Sequence, residues 1–534
     1  MPSGGAADQA AQDDAHLRSL GIVPELRRSL GFLSNFAVAF SYISVSTGTF
    51  TLIALGLSVG GPAFFWSWPL VVAGQLFVAL NFAELASHFP VAGSIYQWSK
   101  RLSNRTLGWF SGWFYFWAGV ITTTAVAITV PLVLFSITGV DGTQTAGPFT
   151  YNVWVALGTL VITTVINAGG VRLLSIINNI GVAAEIVGML IFGLILLIFF
   201  NHQPLSVLTS TFGTESQAGG SYLPVFAIAA FMSLFVVYGF DTAGTFGEET
   251  VGASRHAPRG VLTAILLSGA IGAIFLLAII LATPDINAEM AAAGQYFAGT
   301  GGSNPIADAI VGSMGSTFGD VYLLVILAAV FVCTLAIQGA TTRLMFSMGR
   351  DRRMPFGGVW ATVNPTFKTP ANAAIAVGVL AAIPFLVSSS AGVIAIAATG
   401  TIYLSYFLCN LGVLAARLGG WPRQRAAFNL GGWGLVVNIV ALIWGGLMLI
   451  NFGLWQWSPF GDWGNALRAD SNPTIDGLSF FGISLSGLPQ LPLFETFLAI
   501  VLVVGALYYG FALRGRMDRT QVVADTATGE TAIA

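Results

Sequence analysis

Two carboxylates, Asp241 and Glu185, lie inside apolar runs of membrane length, and no Lys or Arg shares their depth in the sequence. An ionisable side chain at the bilayer centre costs about 2.5 kcal/mol or more, so such groups persist where they bond, pair or carry charge. Two deep acids without a basic partner must be protonated, hydrogen-bonded or matched by an incoming cation. The missing charge is then an ammonium group, a proton or a metal cation. Asp241 falls in VVYGFDTAGTFGEE (236–249), where Gly239, Gly244 and Gly247 interrupt the run. Glycines loosen a helix whose freed backbone groups lipid cannot satisfy, so an interruption of this kind lines a wet, protein-enclosed cavity. A second interruption, Ser44-Val45-Ser46-Thr47-Gly48-Thr49, lies in the first apolar run.

Other chemistries lack their residues. The two cysteines, Cys333 and Cys409, both sit in apolar runs, which offers neither a disulfide framework nor a zinc cluster and makes them lipid-facing or packing residues. His16, His88, His202 and His256 fall at helix ends or in loops, away from any HExxH-type pattern. No nucleophile and base come together, so neither an enzyme nor a bound metal or cofactor is expected.

The elements that must position these residues are membrane helices. The chain has 534 residues, 55% hydrophobic and 8% charged, where soluble proteins carry about a quarter charged; its mean hydropathy is +0.80. Apolar segments of spanning length fall near 32–57, 62–86, 107–138, 150–170, 173–200, 222–250, 259–283, 320–348, 371–388, 391–415, 430–452 and 494–513. Twelve spans are expected, all helical. With the N-terminus inside, 20 of the 21 basic residues fall in inner segments and only Arg468 falls outside. Positive residues collect on the cytoplasmic side, so this pattern fixes the order and places both termini in the cytoplasm of a multi-pass protein of the cell membrane. The net charge of -2 hides that asymmetry and implies nothing about nucleic acid. The first run follows a polar segment and exceeds about 20 residues, which marks a retained span rather than a cleaved signal.

The division expected is a cytoplasmic segment over 1–31, a transport domain over 32–514 and a cytoplasmic tail over 515–534, disordered past Asp518. Spans 1–5 (about 32–200) and 6–10 (about 222–415) form two halves, with spans 11 and 12 (about 430–513) outside them. An odd number of helices inverts the second half, and each half opens on an interrupted helix, the pattern that points to a transport site at the bilayer midplane. A six-plus-six arrangement would put a long loop after span 6; only 251–259 intervene. In the outer segment 284–319, the helical piece 306–314 reads as a vestibule cover or as a surface helix.

Span 2 ends in Ala83-Glu84-Leu85-Ala86-Ser87-His88-Phe89-Pro90-Val91-Ala92-Gly93-Ser94-Ile95-Tyr96, which resembles the AELAS-x-P-x-AGG-x-Y signature of the amino acid/polyamine/organocation permeases, with Ser94 in place of a glycine. Gly239-Phe240-Asp241, Gly247-Glu248-Glu249-Thr250, Asn167-Ala168-Gly169-Gly170-Val171 and the run from Thr342-Arg343 to Gly349-Arg350-Asp351 and Met354-Pro355 resemble further motifs of that family. The likeness covers about 30–450 and is nearest the amino acid/choline branch, which includes 4-aminobutyrate and choline permeases. It implies an all-helical, five-plus-five inverted-repeat fold like that of the leucine transporter, with substrate between the breaks of spans 1 and 6.

A helix N-terminus carries about half a positive charge and free N–H groups, so the first break can bind a substrate carboxylate without a basic side chain. Ser44, Ser46, Thr47, Gly48 and Thr49 are its candidates, with Ser46 replacing a glycine of the family pattern G-S-G. At the second break, Tyr238, Gly239, Phe240, Asp241 and Thr242 are candidates, and Phe235 matches a position where relatives carry an aromatic lid. Asp241 binds the ammonium, takes the coupling proton, or caps the inner half-helix. Glu185 stands where many relatives carry a lysine that replaces a sodium ion, a reversal of charge that makes it a coupling candidate. Thr123 in the Thr122-Thr123-Thr124 cluster, Thr334, Gln338 and Tyr403 are secondary candidates or helix glue. Glu84, Glu248 and Glu249, near Arg255, Arg343 and Arg350, suit a cytoplasmic gate of ion pairs or a solvated surface.

The expected function is a secondary permease moving a small amine-bearing solute such as 4-aminobutyrate by alternating access, coupled to a proton or a sodium ion. A choline or polyamine carrier is the alternative, and a channel or nutrient receptor is the alternative from another class.

Overall fold

The computed structural model describes residues 4–388, 390–453 and 491–514, with two short strands at 479–480 and 483–484. The tail expected over 515–534 and the outer Arg468 lie outside the described residues. Among the described residues, ten helices are long and apolar enough to cross a membrane. The remaining two segments read as spans are the shorter apolar helix Ala371–Leu386 and the interrupted stretch over 222–249.

In chain order the helices are α1 (Gly4–Ser19), α2 (Phe32–Ile43), α3 (Val45–Gly60), α4 (Ser67–His88), α5 (Ser94–Leu102), α6 (Arg105–Thr138), α7 (Tyr151–Ala168), α8 (Val171–Phe199), α9 (Tyr222–Ala229), α10 (Phe231–Val236), α11 (Thr242–Thr245), α12 (Ala253–Ala282), α13 (Ile286–Ala298), α14 (Pro305–Arg350), α15 (Gly357–Trp360), α16 (Ala371–Ala382), α17 (Ala391–Leu418), α18 (Gly434–Gly453) and α19 (Leu493–Tyr508). Four helices lie outside the expected spans, because α1 is polar and α5, α13 and α15 are short. In the segment 284–319, Gly315 takes φ 78°, ψ 166° and separates the first turns of α14 from its long membrane stretch.

Side-chain periodicity orients the span that matters most. On α8, Ile176, Ile180, Val187, Ile191, Leu194 and Ile198 are exposed. Leu174, Asn178, Gly181, Val182 and Glu185 are buried on the opposite stripe. In a bilayer the exposed β-branched and leucine face meets lipid, which turns Glu185 inward. Both cysteines are buried, so the packing alternative holds for them. Small residues let the helices close up. A Cβ on Gly272 would lie 2.0 Å from the Trp68 ring, and the indole of Trp68 donates to Gly269 O at 2.8 Å.

At the end of the bundle where the basic residues gather, α1 is tied down. Asp14 pairs with Arg28 at 2.6 Å, and Asp13 accepts from the Gly252 N–H at 2.7 Å. Leu17 and Ile22 bury against Val91.

At the opposite end, α13 packs on α3, and Asn304 donates to Phe50 O at 2.8 Å. Burial, and then the neighbouring charge of Asp308, push the Glu289 carboxyl of α13 up to about 7. A carboxyl held above its ordinary range favours the packed form at low pH, and that contribution is lost as pH rises through about 7. Hydrogen exchange over 286–298, corrected for intrinsic rates, is therefore expected to be faster at pH 8 than at pH 6. Glu289→Gln should remove the difference, and equal exchange in the parent at both pH values would refute it.

Candidate functional site

Both interruptions are real breaks, and the first is narrower than expected. Between α2 and α3 a single residue, Ser44, turns left-handed (φ 32°, ψ 88°), and the helix resumes at Val45. The Gly48 N–H already bonds Ser44 O at 3.1 Å, and the Thr49 hydroxyl bonds back to Val45 O. Gly48 and Thr49 are therefore inside the helix and do not offer the free donors assigned to them. The donors at this terminus belong to Ser44, Ser46 and Thr47.

The second break runs from Val237 to Asp241, between α10 and α11. Gly239 takes φ +88°, and a Cβ there would lie 1.9 Å from the Tyr42 ring. In the other direction, a Cβ on Gly48 would lie 2.6 Å from Val236 Cγ2. The two broken spans thus touch at their breaks through a glycine from each. Around this contact the rings of Tyr42 and Tyr238 meet edge-on at 6.1 Å, and Phe235 packs on Tyr238 at 5.9 Å.

The two acids are hydrogen-bonded, each by hydroxyls, and they occupy separate sites. Glu185 reaches the first break: its Oε1 accepts from Ser46 N–H at 3.1 Å, Ser46 Oγ at 2.7 Å and Ser44 Oγ at 2.9 Å. Ser44 also bonds Thr47 Oγ1 at 2.6 Å. The donors expected to await a solute carboxylate hold a protein carboxylate instead.

Asp241 is the N-cap residue of α11 but makes no side-chain cap bond, which removes the capping alternative. Its Oδ2 accepts from Ser94 Oγ at 2.8 Å and Tyr115 OH at 2.5 Å, and its Oδ1 accepts from Tyr406 OH. The Gly239 N–H donates to Tyr406 at 3.0 Å, and Thr245 Oγ1 bonds Ser94 Oγ at 2.8 Å. Sequence reasoning missed Tyr115 and Tyr406, hidden in aromatic-rich spans. The signal for Ser94 was present, because it stands where the family signature has glycine.

The remaining candidates scatter. Thr123 and Thr334 bond back to carbonyls of their own helices, Gly119 O at 2.8 Å and Val330 O at 2.9 Å. Gln338 bonds Thr164 Oγ1 at 2.6 Å, joining α14 to α7. Only Gln338 thus ties two helices together, and the hydroxyls of Thr123 and Thr334 are spent within their own helices. Thr122, the neighbour of Thr123, is the one whose hydroxyl reaches Tyr238 OH, at 3.3 Å. Phe240 packs on Phe82 and Tyr406, away from the contact between the breaks. The hydroxyls of Thr242 and Tyr403 are buried without a hydrogen-bond partner among the described residues.

At the basic end, each of the three acids Glu84, Glu248 and Glu249 forms a buried ion pair. Arg343 grips Glu249 with two bonds, at 2.8 and 3.2 Å, under the Phe246 ring at 4.4 Å. Arg350 grips Glu248 at 3.0 and 2.8 Å, and Glu248 also accepts from Ala92 N–H at 3.0 Å. Glu84 pairs with Arg417 at 2.5 Å, a partner not anticipated, and Arg255 belongs to none of these pairs. Arg343 and Glu249 are 0% and 1% exposed, so the solvated-surface alternative fails for them.

The chain matches, over residues 30–457, a family described as amino acid permease. It is 31% identical over 475 residues to the "Amino-acid permease BAT1 homolog" of Oryza sativa subsp. japonica, covering 85% of this chain and 89% of that one. With the "Amino-acid permease BAT1" of Arabidopsis thaliana it shares 28% identity over 451 residues, covering 80% of this chain and 86% of the other. Among solved structures, that of MhsT in complex with L-phenylalanine aligns with a TM-score of 0.57 at 14% identity, covering 80% of this chain and 99% of that chain. That likeness shows a shared fold of the leucine-transporter type.

Proposed function

The chain belongs to the amino acid permease family, and from that premise we propose that it carries a small amine-bearing amino acid, such as 4-aminobutyrate, across the cell membrane by alternating access and in symport with a proton. The observation that carries this reading is the contact between two broken spans at Gly48 and Gly239. Half-helix ends meeting inside a bundle present backbone donors and acceptors that a helix otherwise consumes. In this reading the solute lies between the Ser44–Thr47 stretch and the Val237–Gly239 stretch, under Tyr42, Phe235 and Tyr238. Both termini face the cytoplasm, where the pairs Arg343–Glu249, Arg350–Glu248 and Arg417–Glu84 hold the inner gate shut. Asp241 serves as a clamp: its three hydroxyl partners come from α5, α6 and α17, so span 6 cannot swing from them without releasing it.

The test is counterflow in liposomes holding the purified protein. Labelled 4-aminobutyrate should accumulate transiently against an unlabelled internal pool, with 4-aminobutyrate competing better than choline. Absence of counterflow with any amino acid would overturn transport by alternating access, since a channel or receptor cannot exchange solutes. Stronger competition by choline than by amino acids would overturn the substrate class.

A further inference from the structure

The carboxylate of Glu185 occupies the three donors that end α3, at 2.7 to 3.1 Å from Oε1, and it is 2% exposed. On α8 the nearest basic residue in sequence is Arg172, thirteen residues and about 20 Å away along the helix. From α14, the titratable groups beside it are the Tyr322 phenol and the Cys333 thiol. From the other helices packed on α8, α2 contributes Tyr42, α7 contributes Tyr151 at its far end, and α12 bears Arg255, His256 and Arg259 only in its first two turns. Arg343 and Arg350 of α14 are held by Glu249 and Glu248, so among the described residues of these helices no cation stands ready to receive Glu185 if it leaves Ser44 and Ser46.

We propose that Glu185 is a tethered stand-in for the solute's own carboxylate, so that a carboxylate-bearing solute binds by displacing it and the displaced Glu185 takes up one proton. The proposal rests on the transport reading above and names its coupling step. The α3 terminus holds one anion at a time, because its charge is about half a unit and its donors are three. When the solute carboxylate takes those donors, Glu185 is left buried without a partner, and an unpaired buried carboxylate neutralises. The proton enters from the outer solution with the solute and returns to solution on the inner side when the solute leaves and Glu185 re-seats. The charge at the α3 terminus is unchanged throughout, with one carboxylate exchanged for another and one proton carried. A solute lacking the carboxylate leaves Glu185 seated and carries no proton.

Calorimetric titration of the purified protein with 4-aminobutyrate and with its amide, 4-aminobutanamide, between pH 7 and pH 9 tests this directly. Uptake of one proton per carboxylate predicts that the apparent Kd for 4-aminobutyrate rises about tenfold per pH unit, while that for the amide, or its failure to bind, shows no such slope. Glu185→Gln, which cannot change its charge, should flatten the slope for 4-aminobutyrate. Binding of 4-aminobutyrate without a pH slope, an equal slope for the amide, or a full slope retained in Glu185→Gln would each overturn the proposal. If neither compound binds at any pH, the transport reading for this solute class fails, and the proposal fails with it.

Discussion

Replacing Asp241 with asparagine is expected to abolish uptake in a protein that still inserts, lowering the initial rate at least about a hundredfold. Asp241 accepts three hydroxyl hydrogen bonds, from Ser94, Tyr115 and Tyr406. Hydrogen bonds to a charged group contribute about 1.5–3 kcal/mol each. A carboxamide carries no charge, which weakens all three bonds, and its NH2 group faces at least one of the three donors. A loss of about 3 kcal/mol in one conformation of the cycle is already about a hundredfold in its population. Initial rates of labelled 4-aminobutyrate uptake into liposomes, with the amount of inserted protein measured alongside, give the answer. Uptake at the parental rate would remove Asp241 from the mechanism. Tyr115→Phe and Tyr406→Phe each take away one donor and should cost about tenfold.

Arg343→Met should be the most destabilising of the gate substitutions. Arg343 is fully buried and bonds Glu249 twice. Removing one member of a buried pair leaves an uncompensated charge, which costs about 3–5 kcal/mol, whereas replacing both members by neutral residues of similar size is often near neutral. Thermal unfolding followed by tryptophan fluorescence should therefore show the single variant melting well below the parent, while Arg343→Met with Glu249→Gln recovers most of the loss. A single variant as stable as the parent, or a double variant no better than the single, would show that the pair does not hold this end of the bundle together.

Most of the membrane architecture was legible because bilayer thickness forces long apolar runs and basic residues punctuate them. Both breaks were legible for a related reason: hydroxyls, glycines and an acid stand out against such a background. What stayed hidden was the partner of each acid. Hydrogen bonds between Asp241 and Tyr115 or Tyr406 join residues 126 and 165 positions apart, and no periodicity encodes them. Two departures from the family pattern did hold a signal. Ser46 and Ser94, each in place of a glycine, supply hydroxyls to Glu185 and Asp241 respectively. A polar side chain replacing hydrogen deep in a membrane protein must find a partner, and here the partners are the two buried acids. The first break is legible in the sequence, but its donors read as open, because that terminus alone does not reveal that α8 turns Glu185 into it. Of the three acids at the basic end, two pair with arginines named alongside them from the sequence, while Arg417 lies 333 residues from Glu84 and could not be matched to it.

If solute binds where the two broken spans meet, a cryo-electron microscopy map of the protein saturated with 4-aminobutyrate will show it there. Ligand density is expected between Ser44, Ser46 and Thr47 on one side and Val237, Tyr238 and Gly239 on the other, with the Glu185 side chain withdrawn from Ser46. Density lodged elsewhere in the bundle, with Glu185 still seated on Ser44 and Ser46, would contradict it.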